Sequence, residues 1–309
     1  MDEKNPYFDQ VHLLVTLLPH VADQPCFALK GGTAINLFVR DLPRLSVDID
    51  LAYLPVEDRE TSLTAIDRAL KAMAGNIARA VPGVNVHGKV LSGTAGWFKF
   101  VVEQNGITVK IEVTPVLRGS VYPSTLREIT PKAQSLFGHA QVQTLSFEDL
   151  YAGKLCAALD RQHPRDLFDV RLLLVTEGIT SCLKDALLVY LLSHNRSMTE
   201  LLAPMRKDIE TVFKGEFSGM AIEPISQELL EAAREELITG VHRMLTEEDR
   251  QFLLAVKRGD ADWSQFPIAD ARRLPSVQWK LHNLSRMDPA KRRLALKALE
   301  GALYGEDNV

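Results

Sequence analysis

The chain has 309 residues, 46% hydrophobic and 25% charged, with a formal charge of −4. That length allows two domains with sizeable cores, and the charge balance implies no global attraction for nucleic acid. Cys26, Cys156 and Cys182 stand in apolar surroundings without C-x-x-C spacing, which argues against a zinc site or disulfide framework and for a reducing cytoplasm. The polar start Met1–Asn5 leads into no signal-type apolar core and no apolar run is long enough to span a bilayer, so a cytoplasmic protein with no membrane partner is expected.

Phe8, Val11, Leu14, Val15 and Leu18 recur at helical spacing and predict a helix over 8–21. Phe27-Ala28-Leu29 reads as a short buried strand. Lys30-Gly31-Gly32-Thr33 breaks it, and Thr33 opens an amphipathic run through Val39. Strand, Gly-Gly turn and helix start place free N–H groups at one point, where an anion is favoured. In Arg44-Leu45-Ser46-Val47-Asp48-Ile49-Asp50-Leu51, strand alternation puts Ser46, Asp48 and Asp50 on one face. Two adjacent carboxylates repel unless a cation sits between them, and hard oxygen ligands of this kind suit Mg²⁺.

Pro55 ends that run. A long helix is expected over 57–81, stopped by Pro82-Gly83, and then strands over 84–91, 97–103 and 107–114. Asn105-Gly106 joins the last two as a hairpin turn. In the second of these, Lys110 and Glu112 share a face opposite Val109, Ile111 and Val113, and Glu112 is the natural third carboxylate beside Asp48 and Asp50. A loop is expected from Thr114 to Pro131 and a last strand over 141–145. Ser146 then caps a helix over 147–160, with Asp149 at the capping-box position. His163-Pro164 interrupts and a new helix begins at Arg165. Asp166 and Asp169 lie one turn apart, and Arg165 reaches Asp169 at i+4.

The order of elements predicts an α+β protein: a mixed sheet flanked by helices in a domain over 1–145, then an all-helical domain over 146–309. Helices are expected at 182–193, 204–213, 225–237, 247–258, 277–284 and 289–303, with 215–224 as a mobile connection. Between Ala271 and Lys297 lie Arg272, Arg273, Lys280, Arg286, Lys291, Arg292, Arg293 and Lys297 against the single acid Asp288. That stretch carries +7, and the remainder of the chain −11. It is a candidate phosphate-binding surface, with Trp279 and His282 placed to stack on an unpaired base.

A phosphate cradle followed by a metal-holding D-x-D resembles the nucleotidyltransferase superfamily related to DNA polymerase β. The finer pattern, G-G-T then R-x-S-x-D-x-D, resembles the AbiEii/AbiGii-type toxin branch, and Lys110-Ile111-Glu112 resembles that family's second motif. The block Lys154, Ala157, Arg161, Arg165, Asp166, Asp169 resembles its third, K-x-x-A-x-x-x-R-x-x-x-R-D-x-x-D.

The resemblance spans Lys30 to Asp169. It implies a nucleotidyltransferase-like N-terminal domain and nucleotidyl transfer from an NTP. Gly31, Gly32 and Thr33 would hold phosphates, and Asp48, Asp50 and Glu112 two Mg²⁺ ions. Lys154, with Lys30 or Arg44, would neutralise charge, and one of Asp166 and Asp169 would support the nucleotide or hold that lysine. It further implies a toxin of a toxin–antitoxin or phage-defence pair, adding nucleotides to RNA, commonly tRNA 3′ ends, and neutralised by a co-encoded antitoxin. Two other readings stay open: transfer to a protein or small-molecule hydroxyl such as an antibiotic, and a non-catalytic nucleotide-sensing module.

Overall fold

The computed structural model describes residues 7–90 and 96–305. They divide into two compact units, Met1–Leu150 with Phe217–Pro224, and Tyr151–Glu216 with Ile225–Val309. The division falls inside a helix rather than at residue 145, and the first unit takes eight residues from late in the chain.

The first unit contains α1 (Phe8–Ala22), β1 (Phe27–Lys30), α2 (Gly31–Ala34, continued by a π turn over Ile35–Val39), β2 (Asp48–Tyr53) and α3 (Arg59–Ala80). They are followed by β3 (Val84–Val90), β4 (Trp97–Gln104), β5 (Ile107–Arg118), β6 (Thr125–Glu128), α4 (Pro131–Phe137) and β7 (Gln141–Thr144). The seven strands form one mixed sheet in the order β3-β4-β5-β2-β1-β7-β6. β2 runs parallel to β5 and β1 parallel to β7, while the other neighbours are antiparallel. Ile49, Leu51, Val109, Ile111 and Val113 are buried on one face of the central strands, as period-two alternation requires.

Asn105 and Gly106 both have positive φ, 52° and 79°, the conformation of a two-residue hairpin turn matched to strand twist. Asp58 caps α3, accepting from the Thr61 N–H at 2.9 Å.

Three expectations for this unit are corrected. The expected loop after Thr114 is largely ordered: β5 continues through Pro115 to Arg118, and β6 and α4 follow. A register shift where β2 meets β5 lets the strand carry a proline. Thr33 does not open the helix, because Gly31 and Gly32 are themselves its first residues, and the run is buried from Thr33 to Phe38 rather than amphipathic. The expected mobile connection at 215–224 instead pairs with the segment before β2. Leu45 N–H donates to the Met220 carbonyl and Ile222 N–H to that of Pro43, both at 2.9 Å, around an Arg44–Ala221 bridge.

The second unit is helical. α5 (Phe147–Asp160) begins in the first unit and is followed by α6 (Pro164–Val175), α7 (Ser181–Ser193), α8 (Met198–Leu202), α9 (Glu210–Val212) with a π turn to Phe217, α10 (Gln227–Met244), α11 (Glu247–Arg258), α12 (Pro275–Ser285) and α13 (Pro289–Tyr304). The helix expected over 204–213 is not formed. Arg206 and Lys207 are instead tied irregularly to Glu235 and Gln162, and helix resumes at Glu210. Thr246 and Asp249 make the reciprocal capping box of α11.

Candidate active site

β1 ends at Lys30, and the chain turns at once into α2. Gly31 has φ +72°, and a Cβ there would lie 2.8 Å from Asp50 Oδ2. At Gly32 a Cβ would lie 2.8 Å from Arg44 Nη2 and 2.9 Å from Ser46 Oγ. Each glycine is thus fixed by close approach, the first by left-handed backbone as well. The Thr33 hydroxyl lies 2.5 Å from the Asp48 carbonyl oxygen and 3.0 Å from Ser46 Oγ. Its single hydrogen goes to the carbonyl and Ser46 donates in return. Ser46 is buried and precedes β2 rather than belonging to it. Arg44 is buried at 2% exposure, with Nη1 donating to the Leu45 carbonyl at 2.8 Å.

The sheet register gathers the acidic residues. Asp48 pairs with Lys110 and Asp50 with Glu112 across the parallel β2–β5 ladder. Lys30 pairs with Asp50 from β1, and Lys99 with Glu112 from β4. Paired residues share a face, so Lys30, Asp50, Glu112 and Lys99 form one row across four strands spaced about 4.8 Å apart. Charge along it runs plus, minus, minus, plus. In the adjoining row Lys110 Nζ lies 3.3 Å from Glu112 Oε2 and 3.8 Å from Asp48 Oδ1. Burial pulls the Lys110 pKa down, but Asp48, Asp50 and Glu112 together outweigh it and leave it raised. Three carboxylates therefore act on a single cation.

Among the described residues no three His, Cys, Asp or Glu side chains are drawn together as a closed metal-binding group. The donor set nonetheless fits a hard divalent cation: three carboxylates on one sheet face, and a field that already favours positive charge where the Lys110 head group sits.

In the second unit Lys154 is 6% exposed, with Nζ 2.7 Å from Asp166 Oδ1 and 3.0 Å from Asp169 Oδ2, both aspartates being fully buried. Arg161 grips Asp166 from the solvent side at 2.5 and 3.1 Å. Burial pushes the Asp166 carboxyl up, but Lys154 and Arg161 prevail and hold it far below the usual carboxylate range. Arg165, which helical spacing aims at Asp169, has Nη2 3.6 Å from Glu216. His163 caps α6, its Nδ1 accepting from the Arg165 N–H at 3.1 Å.

A family model described as nucleotidyl transferase AbiEii toxin, type IV toxin–antitoxin system, matches residues 12–283. The chain belongs to the AbiEii nucleotidyltransferase toxin family. It is accordingly an NTP-dependent nucleotidyltransferase toxin, with an antitoxin as its counterpart. Among solved structures the AbiEii chain is similar to MenT4, a nucleotidyltransferase toxin from Mycobacterium tuberculosis H37Rv. Identity is 15% over 92% of this chain and 95% of that one, with a TM-score of 0.58, a likeness of fold. No curated protein matches the sequence. Among the described residues no helix is long and apolar enough to cross a membrane.

Within the first unit of this AbiEii chain, Lys30, Gly31, Gly32, Thr33, Arg44, Ser46, Asp48, Asp50 and Glu112 all lie around the end of β1 and the start of β2. Lys154, Asp166 and Asp169 form their own cluster in the second. Sequence reasoning gave Lys110 no role and overlooked Lys99. The Asn105-Gly106 turn held the signal, since counting back along its two strands places Lys99 opposite Glu112.

Proposed function

We propose that this toxin transfers a nucleotide from an NTP to an RNA hydroxyl, the 3′ end of a tRNA, in a Mg²⁺-dependent reaction in the cytoplasm, as the toxic or phage-defence arm of a pair with a co-encoded antitoxin. The observation that supports it is the in-register set Asp48, Asp50 and Glu112 beside the Gly31-Gly32 approach.

Asp48, Asp50 and Glu112 would hold two Mg²⁺ ions. When bound, these ions supply a lowered pKa at the attacking hydroxyl and charge neutralisation at the pyrophosphate leaving group. Gly31 and Gly32 let the turn pack directly against Asp50, Arg44 and Ser46, and the N–H groups at the start of α2 would receive the phosphate oxygens. Lys30, Lys99 and Lys110 offset the negative charge that triphosphate and carboxylates bring together, as electrostatic stabilisation in phosphoryl-group chemistry requires. The buried Arg44 guanidinium, set against Gly32, adds fixed positive charge under the same turn. Lys154 is proposed to serve the nucleotide through a head group held in place by Asp166 and Asp169.

The deciding experiment incubates the protein with each labelled NTP, Mg²⁺ and total tRNA. Label should enter RNA with release of pyrophosphate and depend on Mg²⁺. Label entering protein or a small hydroxyl compound instead would replace RNA as the acceptor. No transfer to any acceptor under these conditions would count against the metal-site assignment.

A further inference from the structure

The fold uses part of the C-terminal basic stretch internally. Lys280 Nζ donates to the carbonyls of His194 at 2.5 Å and Arg196 at 2.7 Å. Arg292 donates to the Leu284 carbonyl and, at 3.3 Å, to that of Arg258. The single acid, Asp288, is committed as the cap of α13, accepting from Ala290 and Lys291 N–H at 2.9 and 3.0 Å. Arg272, Arg273, Arg286, Lys291, Arg293 and Lys297 remain exposed.

Trp279 on α12 is 56% exposed. Among the described residues it is the exposed tryptophan, since Trp97 and Trp263 are each partly covered. The helix does not need it for packing, because α12 is buried through Ser276, Val277 and Leu284. The His282 ring stacks on the indole, centroids 5.9 Å apart and planes at 23°. Arg286, the C-cap just past the end of α12, lies seven residues beyond Trp279, close to the spacing of two helical turns.

We propose that the α12 face of Trp279, His282 and Arg286 is a stacking platform for an unpaired base of an RNA strand. The exposed cations on either side, Arg272 before α12 and Lys291 and Arg293 on α13, take the neighbouring phosphates. An exposed indole presents a π surface to a base regardless of its identity, and arginines supply the electrostatic part. With −11 on the remainder of the chain, a polyanion is repelled elsewhere and drawn to this stretch. A duplex hides the base faces the platform needs, so single strands are preferred. The inference rests on RNA as the acceptor and adds the surface that holds it.

The test uses the full chain and a short fluorescently labelled single-stranded RNA with a free 3′ end, its affinity read by anisotropy and its stacking by quenching of tryptophan emission. Binding should quench emission in the unaltered protein. Trp279→Ala should weaken binding about tenfold or more, while Trp279→Phe keeps most of it. Arg286→Glu should weaken binding and reduce the slope of log affinity against log salt by about 0.7 for each phosphate no longer neutralised. Melting temperature and NTP binding should hold in all three variants. Unchanged affinity in Trp279→Ala, equal binding of the matched duplex, or occupation of this face by a protein instead of RNA would overturn the platform.

Transfer by the unaltered protein separates the two claims. If it labels RNA while the variants bind the oligonucleotide normally, the platform is wrong and the RNA reading stands. If it labels only protein or small molecules and the oligonucleotide does not bind, both fall.

Discussion

The side-chain hydroxyl of Thr33 lies 2.5 Å from the main-chain carbonyl oxygen of Asp48. One hydrogen bond thus ties the turn after Gly31-Gly32 to the first carboxylate of the β2 set. Thr33→Val keeps the shape and deletes this bond together with the one to Ser46. Loss of a bond to this partly buried carbonyl costs about 0.5–1.5 kcal/mol, so melting should fall while the fold survives. NTP affinity, followed by calorimetry, should drop more than that stability loss alone explains. Normal NTP affinity in a folded Thr33→Val protein would uncouple the turn from nucleotide binding.

Asp48→Asn should abolish nucleotidyl transfer with the fold intact. From sequence alone, relief of carboxylate repulsion would be expected to leave stability in metal-free buffer level or raise it. Lys110 favours the first outcome, because it already stands between Asp48 and Glu112. All three side chains are more than a third exposed, and exposed pairs are worth about 0–1 kcal/mol. Melting of Asp48→Asn without Mg²⁺ should therefore stay close to that of the parent.

Lys110→Met uncovers the repulsion that its ammonium offsets. This variant should melt lower than the parent without divalent cations and recover when Mg²⁺ is titrated in. A melting curve indifferent to Mg²⁺ would show that the three carboxylates do not share a cation. Differential scanning calorimetry over a Mg²⁺ series reads both outcomes.

Acid stability should follow the Lys154 cluster. The Asp166 carboxyl is held far below its ordinary range, so its contribution is complete above about pH 4 and is lost as pH falls toward the folded value. Lys154→Met removes the cation that two fully buried carboxylates face, and such losses cost about 3–5 kcal/mol. Arg161 still holds Asp166, but an Asp169 carboxyl shifted upward reverses the sign of its own contribution, which should be greatest near pH 4 and decline toward pH 7. Urea melts at several pH values would show the reversal, and parallel curves for variant and parent would refute it.

Alkaline stability should follow Lys280. Burial, then repulsion from Lys257, bring its pKa down to about 8, with Glu200 opposing. Between that value and the ordinary lysine value near 10.5 the unfolded chain binds the extra proton, so stability should rise with pH across this window. Lys280→Met should lack that rise, which thermal melts between pH 7.5 and 10 would reveal.

The elements that period and punctuation define were legible in the sequence. The helix over 147–160 with its Ser146 cap and the Asn105-Gly106 hairpin depend on contacts a few residues apart. The Asp48, Asp50 and Glu112 alternation was equally local. What escaped depended on distant partners. β5 runs on through Pro115 because β2 offers it a neighbour past Tyr53. Residues 204–209 stay irregular because Arg234 and Gln162 claim the Lys207 backbone. Arg292 looked like surface charge, yet it donates to carbonyls at the ends of two other helices.

The return of Phe217–Pro224 to the first unit sets an order on biosynthesis. Residues 220–222 clasp the segment 43–45 that leads into β2. The unit holding the carboxylate set therefore cannot be finished when its own first 150 residues have emerged from the ribosome. It waits until Pro224 has been made, with most of α5 to α9 already synthesised in between. The clasp is thus missing through the greater part of translation, and a fragment truncated at Leu150 should emerge with residues 43–45 unclasped.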